Sequence, residues 1–384
     1  LMKLDGVRVL DLGLFLPGPY VSQLMADHGA EVIKLEPPGE GDPGRHIGQV
    51  EHGNTVFFRN LNRGKKSISL NLKSPEGLEA TLKLAESVDV MIEAFRPGVA
   101  QRLGVDYETV RKRNPRIVYC SISAFGQSGP LHKVPAHDLA VEAHAGITSV
   151  SLGQDDQPTM PPVPVADFAS ASLSLIGILM ALLRRQQTGV GDYLDMAMYD
   201  SAISWLPNVT GPVFAEKRNP VPKHERSWGG AAFYRIYRTA DDRHVVLGAQ
   251  EIKFVRSLMT EWGRPDLVAL AERGPGPHQQ PLAEFVQSVL ITKTQAEWVE
   301  YFSRRDIGFA PVKTLREAFD DPHTQARQMH FVDELGQEHV GLPIKFQQEP
   351  GRADLRVPKL GEHTAEILRG IGYSDADIAK LAGG

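Results

Sequence analysis

The sequence predicts an α/β protein whose larger domain is built on a doubly wound parallel sheet. Short hydrophobic strands alternate with helical segments through the first half of the chain, beginning with a compact βαβ unit over residues 7–35. A length of 384 residues exceeds one ordinary hydrophobic core, which indicates two domains. A hydrophobic content of 42% and a charged content of 23% are typical of soluble globular proteins.

The strands of this sheet are predicted in order along the chain, at residues 7–12, 31–35, 65–73, 88–93, 116–122 and 193–198. The helix after the third strand begins at Ser74-Pro75-Glu76, where a serine N-cap precedes proline in the first helical position. In doubly wound sheets, ligands bind at the carboxyl ends of the strands. Those ends lie here near residues 16–17, 70–73, 94–96 and 125–130.

The second half of the chain has a different pattern. Residues 207–225 contain four prolines and several charges, which is typical of a domain boundary. Strands at 233–239 and 244–248 flank Asp241-Asp242 and predict a hairpin, and helical segments follow to about residue 305.

Residues 135–200 hold the most distinctive stretch. Asp167 directly precedes an apolar segment whose core, residues 173–183, is hydrophobic on nearly every side and therefore predicts a buried helix. We expect Asp167 to cap this helix and the helix dipole to keep its carboxylate ionised. His137 lies thirty residues upstream. The apolar run is interrupted by Ser174 and Gly177 and is predicted to fall short of a membrane span.

Each of these residues also has an ordinary structural explanation. Asp167 is equally well explained as a plain N-cap. His137 is one of thirteen histidines, and a surface or loop histidine is the commoner case. Glu251 resembles a solvated residue at the start of a helix.

Composition excludes several classes of protein. A net charge of −5 and a pI of about 6.3 argue against a nucleic-acid binder. The single cysteine, Cys120, rules out a disulfide framework and a cysteine-based zinc site, and it fits a reducing, cytoplasmic setting. His323 and His330 lack the spacing of metal ligands, so no metal is predicted. The glycines between residues 13 and 18 lack the dinucleotide-binding spacing, which disfavours a dehydrogenase.

Seven short motifs occur in an order that resembles the family III coenzyme A transferases, the family that also contains α-methylacyl-CoA racemase. They are Gly18-Pro19, Lys34-Leu35-Glu36-Pro37-Pro38-Gly39, Gly41-Asp42-Pro43, Asn62-Arg63-Gly64-Lys65-Lys66-Ser67, Phe95-Arg96-Pro97-Gly98, Phe125-Gly126-Gln127-Ser128-Gly129-Pro130 and Thr188-Gly189-Val190-Gly191.

This resemblance implies a domain organisation and an assembly. A large α/β domain would come from both chain ends, residues 2–206 and 326–384, with residues 207–225 as a linker and residues 226–325 as a smaller α+β domain. It further implies an interlocked homodimer, an acyl-CoA substrate, no prosthetic group and neither a nucleic-acid nor a membrane partner.

The resemblance leaves two chemistries, and Asp167 matches the catalytic aspartate of both. In the transferases the aspartate attacks the acyl-CoA thioester and forms a mixed anhydride. In the racemase a histidine and an aspartate exchange the α-proton of a 2-methylacyl-CoA. His137-Asp138 matches the racemase pair, and residues 248–254 resemble the racemase segment whose glutamate, here Glu251, contacts the histidine.

We therefore favour a racemase over a transferase, because a transferase needs only one carboxylate and would leave His137 without a role. A non-catalytic acyl-CoA sensor is the third hypothesis, and it would have no need of two proton-transfer groups.

The resemblance also indicates which residues bind coenzyme A. They are Leu70, Asn71, Leu72, Lys73, Ala94, Phe95, Arg96, Arg102, Ala136 and Asp138. Strand-end amides and cations suit the phosphates of the nucleotide. Pro37 stands where the family often has arginine, so we expect Arg45 or Lys65 to supply that contact instead.

Overall fold

The computed structural model describes residues 1–153 and 155–382, and the chain forms two compact units. The first unit comprises Leu1–Thr148, Met160–Trp205 and the described residues from Pro322 onward, and the second comprises Ser149–Thr159 and Leu206–Asp321. The second unit therefore takes in residues 149–159, which the sequence assigned to the large domain. An ion pair between Lys223 Nζ and Asp156 Oδ2 (2.6 Å) ties this segment to the rest of the second unit.

The first part of the first unit carries most of its secondary structure. In chain order it contains β1 (Arg8–Leu12), α1 (Pro17–Ala26), β2 (Glu31–Glu36), β3 (Val50–Glu51), β4 (Asn54–Thr55), α2 (Val56–Asn62), β5 (Lys66–Ser69), α3 (Pro75–Ala85), β6 (Val90–Glu93), α4 (Val99–Leu103), α5 (Tyr107–Arg113), β7 (Val118–Ser123), α6 (Asp138–His144), α7 (Val165–Thr188), β8 (Asp192–Ala197) and α8 (Met198–Ser204).

The second unit and the return to the first complete the chain. The second unit contains α9 (Gly211–Phe214), β9 (Tyr234–Arg238), β10 (His244–Gly248), α10 (Ile252–Glu261), α11 (Val268–Glu272), α12 (Gln280–Leu290), α13 (Gln295–Ser303), β11 (Phe309–Pro311) and α14 (Leu315–Asp320). The first unit resumes with α15 (Pro322–Ala326), β12 (His330–Val332), β13 (Glu338–Val340), α16 (Thr364–Gly370) and α17 (Asp375–Ala382).

The sheet of the first unit is parallel throughout and has the order β5-β2-β1-β6-β7-β8. Its six strands correspond to the six predicted ones, so the predicted parallel sheet is confirmed. Numbered along the chain, the strands run 3-2-1-4-5-6, the doubly wound order whose direction reverses between β1 and β6. The crevice outside the carboxyl ends of these two strands is where such folds bind ligands.

The second unit is built around the predicted hairpin of β9 and β10, to which β11 adds an antiparallel edge strand. Helices α10, α12 and α13 contribute to its hydrophobic core. The indole of Trp298 lies at the centre of that core, 1% exposed, and its N–H donates to Leu290 O (2.8 Å). The polar group of the largest buried side chain is therefore satisfied.

Helix α7 is longer and more exposed than the sequence predicted. It has 24 residues, so by length and composition it is long enough to cross a membrane, contrary to the expectation from residues 173–183. One face packs against α1, α6, α8, β7 and β8. The close contact with β8 requires a glycine at position 177, because a Cβ atom on Gly177 would lie 2.6 Å from Leu194 Cδ2. The opposite face is open, which corrects the prediction of a fully buried helix.

Buried charges connect the strands at the carboxyl edge of the sheet. Lys65 Nζ on the loop before β5 donates to Asp11 Oδ2 in β1 (3.2 Å), and Lys34 Nζ in β2 lies 2.8 Å from Asp42 Oδ2. All four side chains are fully buried. Despite its burial, the pKa of the Asp11 carboxyl is lowered by Lys65 and Lys34, whereas burial lowers the pKa of Lys65 to about 8. The buried charges are tolerated because each charged side chain lies against one of opposite charge.

We expect Lys65→Met to destabilise the protein by about 3–5 kcal/mol, because the substitution leaves Asp11 buried without its nearest cation. Lys66→Met is the matched control, since Lys66 is one-third exposed and its pairs with Glu31 and Glu366 lie near the surface. It should cost no more than about 1 kcal/mol. Urea unfolding of both variants measures the difference, and equal midpoints would show that the buried pair contributes nothing.

Candidate active site

The first turn of α7 is held by side chains of α6. The N-cap residue, Pro164, offers no side-chain acceptor. Glu142 Oε1 instead accepts the N–H of Val165 (2.8 Å), and Asp138 Oδ1 accepts the N–H of Asp167 (3.0 Å). Two carboxylates of one helix thus satisfy the free N–H groups of the next.

The prediction that Asp167 caps α7 is therefore wrong. Asp167 is the third residue of the helix and makes no capping hydrogen bond with its side chain. The proline run delivers the chain to Val165 in helical conformation two residues earlier than expected, and the capping role passes to Asp138 and Glu142. The carboxyl group of Asp167 is consequently available for other contacts.

The prediction that the helix dipole keeps Asp167 ionised is also wrong. Burial, together with the carboxylates of Asp138 and Glu142, raises the pKa of Asp167 to about 7. The favourable field of one helix terminus is smaller than the combined effect of desolvation and two like charges. At neutral pH this carboxyl group can therefore both hold and release a proton.

His137 lies at the start of α6, immediately before Asp138. It is the N-cap of that helix, makes no capping hydrogen bond and is exposed. Its ring meets the ring of Phe15 edge to face, with centroids 6.0 Å apart. Phe15 follows β1 with a left-handed backbone (φ 60°), a strained conformation of a kind found at functional sites.

Both candidate residues lie beside the connection between β1 and α1. His137 contacts Phe15 in that connection, and Phe168, next to Asp167, packs edge to face on Tyr20 in the first turn of α1 (5.0 Å). The hydrogen bond between Asp138 and the N–H of Asp167 joins the two from the other side. The structure therefore links the backbone of Asp167 to Asp138, the residue that follows His137, and a shared active site of His137 and Asp167 stays a prediction.

The β1–α1 connection is itself fixed by the buried charges. The N–H of Phe15 donates to Asp42 Oδ1 (3.2 Å), and Lys34 Nζ donates to the carbonyl of Gly13 (2.8 Å). Because Asp42 and Lys34 are paired with each other, the loop that carries Phe15 has little freedom to move. The surface on which His137 rests is consequently rigid.

Five of the residues predicted to bind coenzyme A line one cavity of about 150 Å³. They are Leu70, Asn71, Leu72, Lys73 and Phe95. Leu12 and Leu14 line it too, which places the cavity at the reversal point of the sheet. The side chains of β1 and its neighbours thus provide an apolar floor at the predicted ligand-binding edge.

The other predicted coenzyme A residues lie around this cavity rather than in its wall. Arg96 follows β6 and Arg102 lies in α4, and both are exposed. The side chains of Lys73, Arg96 and Arg102 form no ion pair with any residue that the structure describes. Ala94 directly follows β6, and Ala136 precedes α6 beside His137.

The expectation that Arg45 or Lys65 replaces the family arginine in the coenzyme A contact stays a prediction, and both side chains have partners within the protein. Arg45 donates to both carboxylate oxygens of Glu36 (2.8 Å each), and its guanidinium lies 4.0 Å from the ring centroid of Phe58. Lys65 is fully buried against Asp11. Both cations are already paired inside the protein, and Pro37 lines the cavity at the position in question.

Glu251 lies in the second unit, where it is the exposed N-cap residue of α10. It lines a cleft of about 430 Å³ together with Gln250 and Arg226, whose Nε donates to Gln250 Oε1 (3.0 Å). The carboxylate makes no capping hydrogen bond and is open to solvent. Its predicted contact with His137 stays a prediction.

Sequence reasoning missed Glu142, which is fully buried although it is a glutamate. Burial raises its pKa to about 7, the N–H of Val165 opposes this effect, and Asp138 adds to it. The spacing of four residues between Asp138 and Glu142 places them on one face of a helix and was the available signal.

No group of three potential metal ligands occurs within residues 1–153 and 155–382, and the absence of a metal stays a prediction.

The comparisons with known proteins agree on one family. Residues 4–364 match CoA-transferase family III. The chain belongs to this family. It is 32% identical to succinyl-CoA–D-citramalate CoA-transferase of Chloroflexus aurantiacus, covering 98% of this chain and 96% of that protein. It is also 32% identical to alpha-methylacyl-CoA racemase of Mus musculus, covering 99% and 96%.

The fold agrees with solved members as well. The crystal structure of a CAIB/BAIF family protein from Brucella suis has a TM-score of 0.84 and 29% identity, covering 96% of this chain and 99% of that one. The family predicted from the seven motifs is therefore confirmed. Because the relatives include both transferases and a racemase, the family leaves the choice between the two reactions to the site itself.

The raised pKa of Asp167 predicts how Asp167→Asn changes stability with pH. Between its ordinary value of 3.8 and about 7, folded wild type retains a proton that the unfolded chain has lost. This group therefore makes wild type less stable as pH rises through that window, and asparagine cannot do so. The melting temperature of Asp167→Asn relative to wild type should rise from about pH 4 to about pH 7 and then level off.

Asp200→Asn is the matched control, because Asp200 is the third residue of α8 as Asp167 is of α7, but it is exposed. Its melting temperature relative to wild type should show no such rise. Parallel curves for the two variants would contradict the assignment of a near-neutral pKa to Asp167.

Proposed function

We propose that the protein is a 2-methylacyl-CoA racemase. The observation that supports this most directly is the hydrogen bond from the N–H of Asp167 to Asp138, the residue that follows His137. Inversion at a carbon centre requires two proton carriers, one for each face. Burial and two neighbouring carboxylates raise the pKa of Asp167 to about 7, so its carboxyl group can hold or release a proton at neutral pH.

The proposed reaction proceeds in two proton transfers. One of the two groups, in its basic form, removes the α-proton of the acyl-CoA, and the electron pair of the C–H bond passes into an enolate of the thioester. The other group, in its protonated form, then donates a proton to the opposite face of the α-carbon. Each turnover leaves the two groups with exchanged protonation states, and a turnover in the opposite direction restores them.

Two further assignments belong to this proposal. Asn71, Lys73, Arg96 and Arg102 would contact the phosphates and nucleotide of coenzyme A, because they carry polar or cationic groups around the cavity at the carboxyl edge of the sheet. Glu251 would orient the His137 ring and support its imidazolium form. No prosthetic group takes part, since coenzyme A enters as part of the substrate.

The second candidate is a CoA-transferase, which the names of several relatives favour. One of these, from Haloarcula hispanica, is called succinyl-CoA:mesaconate CoA-transferase and is 33% identical over 95% of both chains. In this reaction ionised Asp167 attacks the thioester carbonyl, coenzyme A leaves as a thiolate, and an aspartyl-acyl anhydride remains. The carboxylate of a second acid then attacks the acyl carbonyl of this anhydride and releases Asp167. The thiolate attacks the second acid's carbonyl in the new anhydride, which yields its coenzyme A thioester and releases the first acid as a carboxylate.

Incubation with a racemic 2-methylacyl-CoA in deuterated water distinguishes the two candidates. We expect one deuterium to be incorporated at the α-carbon, as measured by mass spectrometry, without any added carboxylic acid. His137→Ala and Asp167→Asn should each lose at least about 10²-fold in epimerisation, because each lacks one proton carrier. In single-turnover exchange each variant should exchange the α-proton on only one face of the α-carbon, and this face should differ between the two variants. His132→Ala, which changes a histidine in the loop before α6, is the control and should behave like wild type.

The contrary result is equally specific. If His137→Ala remains fully active, Asp167→Asn is inactive and wild type yields a trapped acyl-aspartate with coenzyme A transfer to an added acid, the racemase proposal is wrong and the transferase holds. Absence of turnover with every acyl-CoA tested would instead indicate a non-catalytic binding protein.

We further propose that the protein is a homodimer in which the open face of α7 is covered by a second copy. Ile176, Leu179, Met180 and Leu183 form an exposed apolar stripe at helical spacing, between 39% and 65% exposed. Wild type should sediment as a dimer at low micromolar concentration. Met180→Glu should weaken it, whereas Gln186→Glu on the same helix should not. A wild-type monomer under these conditions would refute the proposal.

A further inference from the structure

Glu142 has no part in the proposed chemistry, yet its carboxyl group is fully buried beside the site. Its Oε1 accepts the N–H of Val165 (2.8 Å). Its Oε2 is enclosed, and its carboxyl group also interacts with the neighbouring carboxyl group of Asp138. Burying one carboxyl group against another is unfavourable, so this residue is kept at a cost to stability.

We propose that Glu142 is a positioning residue for Asp167. With Asp138 it forms a two-carboxylate clamp, in which Glu142 holds the N–H of Val165 and Asp138 holds the N–H of Asp167. The clamp fixes the first turn of α7, and Asp167 is the last residue that it holds. This inference rests on the proposed role of Asp167, and it applies equally if that residue is a nucleophile rather than a base.

The geometry explains why a clamp is needed at this helix. The first N–H groups of any helix lack partners within it, and Pro164 cannot supply one from its side chain. Elsewhere in the chain the same need is met locally, as at α3, where Ser74 Oγ accepts the N–H of Gly77 (3.1 Å). A local cap would satisfy these N–H groups without tying the first turn of α7 to α6. The clamp instead ties Asp167 to the helix that begins beside His137.

The clamp also has an electrostatic consequence. The titratable groups around Asp167 are Asp138 and Glu142 in α6, His137 before α6, and Tyr20 of α1, whose ring contacts Phe168. Both carboxylates of the clamp raise the pKa of Asp167. Replacing Glu142 by a neutral residue should therefore shift the ionisation of Asp167 to lower pH.

Two substitutions separate positioning from charge. Glu142→Ala removes the acceptor for the N–H of Val165, and we expect kcat to fall about 10- to 100-fold with little change in KM, because a small displacement of Asp167 is sufficient. Glu142→Gln keeps an acceptor oxygen at the same place, so kcat at the optimum should recover to within about threefold of wild type. In the pH profile of kcat/KM for Glu142→Gln, the midpoint of the fall on the acidic side should move to lower pH. Glu108→Gln, an exposed glutamate on α5, is the matched control.

The measurements use whichever reaction wild type catalyses, so failure of the racemase proposal and failure of this inference are distinct results. Recovery of kcat in Glu142→Gln together with the shifted acid limb supports the clamp. The inference is overturned if Glu142→Ala retains the kcat of Glu108→Gln, or if the pH profile of Glu142→Gln coincides with that of wild type. Should Glu142→Ala fail to fold, the pH profile of Glu142→Gln decides alone.

Discussion

The candidate site depends on how the first turn of α7 is held. This helix follows a proline-rich segment and has no capping side chain of its own, so its N–H groups bind Asp138 and Glu142 of α6. One set of hydrogen bonds thereby performs two tasks. It completes the first turn of the helix, and it ties the backbone of Asp167 to Asp138, the residue that follows His137. Burial and, after it, the same two carboxylates raise the pKa of Asp167 to about 7.

A second constraint acts from the other side of the site. The reversal of strand order between β1 and β6 opens a crevice at their carboxyl ends, and the loop after β1 forms one wall of it. The buried ion pair of Lys34 and Asp42 fixes that loop, because Asp42 also accepts the N–H of Phe15. Phe15 therefore keeps a left-handed backbone, and its ring contacts that of His137. Helix α1 continues from the same loop and supports Phe168 through Tyr20. The rigidity of the site thus comes from buried charges that touch no substrate.

The sequence was sufficient for features that depend on neighbouring residues. Alternating hydrophobic patterns located all six strands of the sheet, the serine before Pro75 marked the start of α3, and seven motifs identified the family. It was insufficient where partners lie far apart in the chain. A lysine such as Lys65 looks solvated until Asp11, which is 54 residues away, is found against it.

The prediction of how α7 is capped failed for the same reason. The two carboxylates that accept its first N–H groups lie 23 and 29 residues upstream of them. An aspartate near a helix start is usually a local cap, and only the path of α6 shows that this one is not. The open face of α7 was missed because hydropathy records how apolar a residue is and not whether anything covers it.

The near-neutral pKa of Asp167 bears on why one family supports two reactions. A transferase uses the ionised form as a nucleophile, and a raised pKa makes that form more basic while reducing its amount at pH 7. A racemase needs both forms in turn, so a pKa close to that of histidine is an advantage in both directions. The clamp is compatible with either reaction, because it positions the carboxyl group and does not choose its partner. In the racemase reaction proposed above, the second proton carrier is the residue before the clamp, His137.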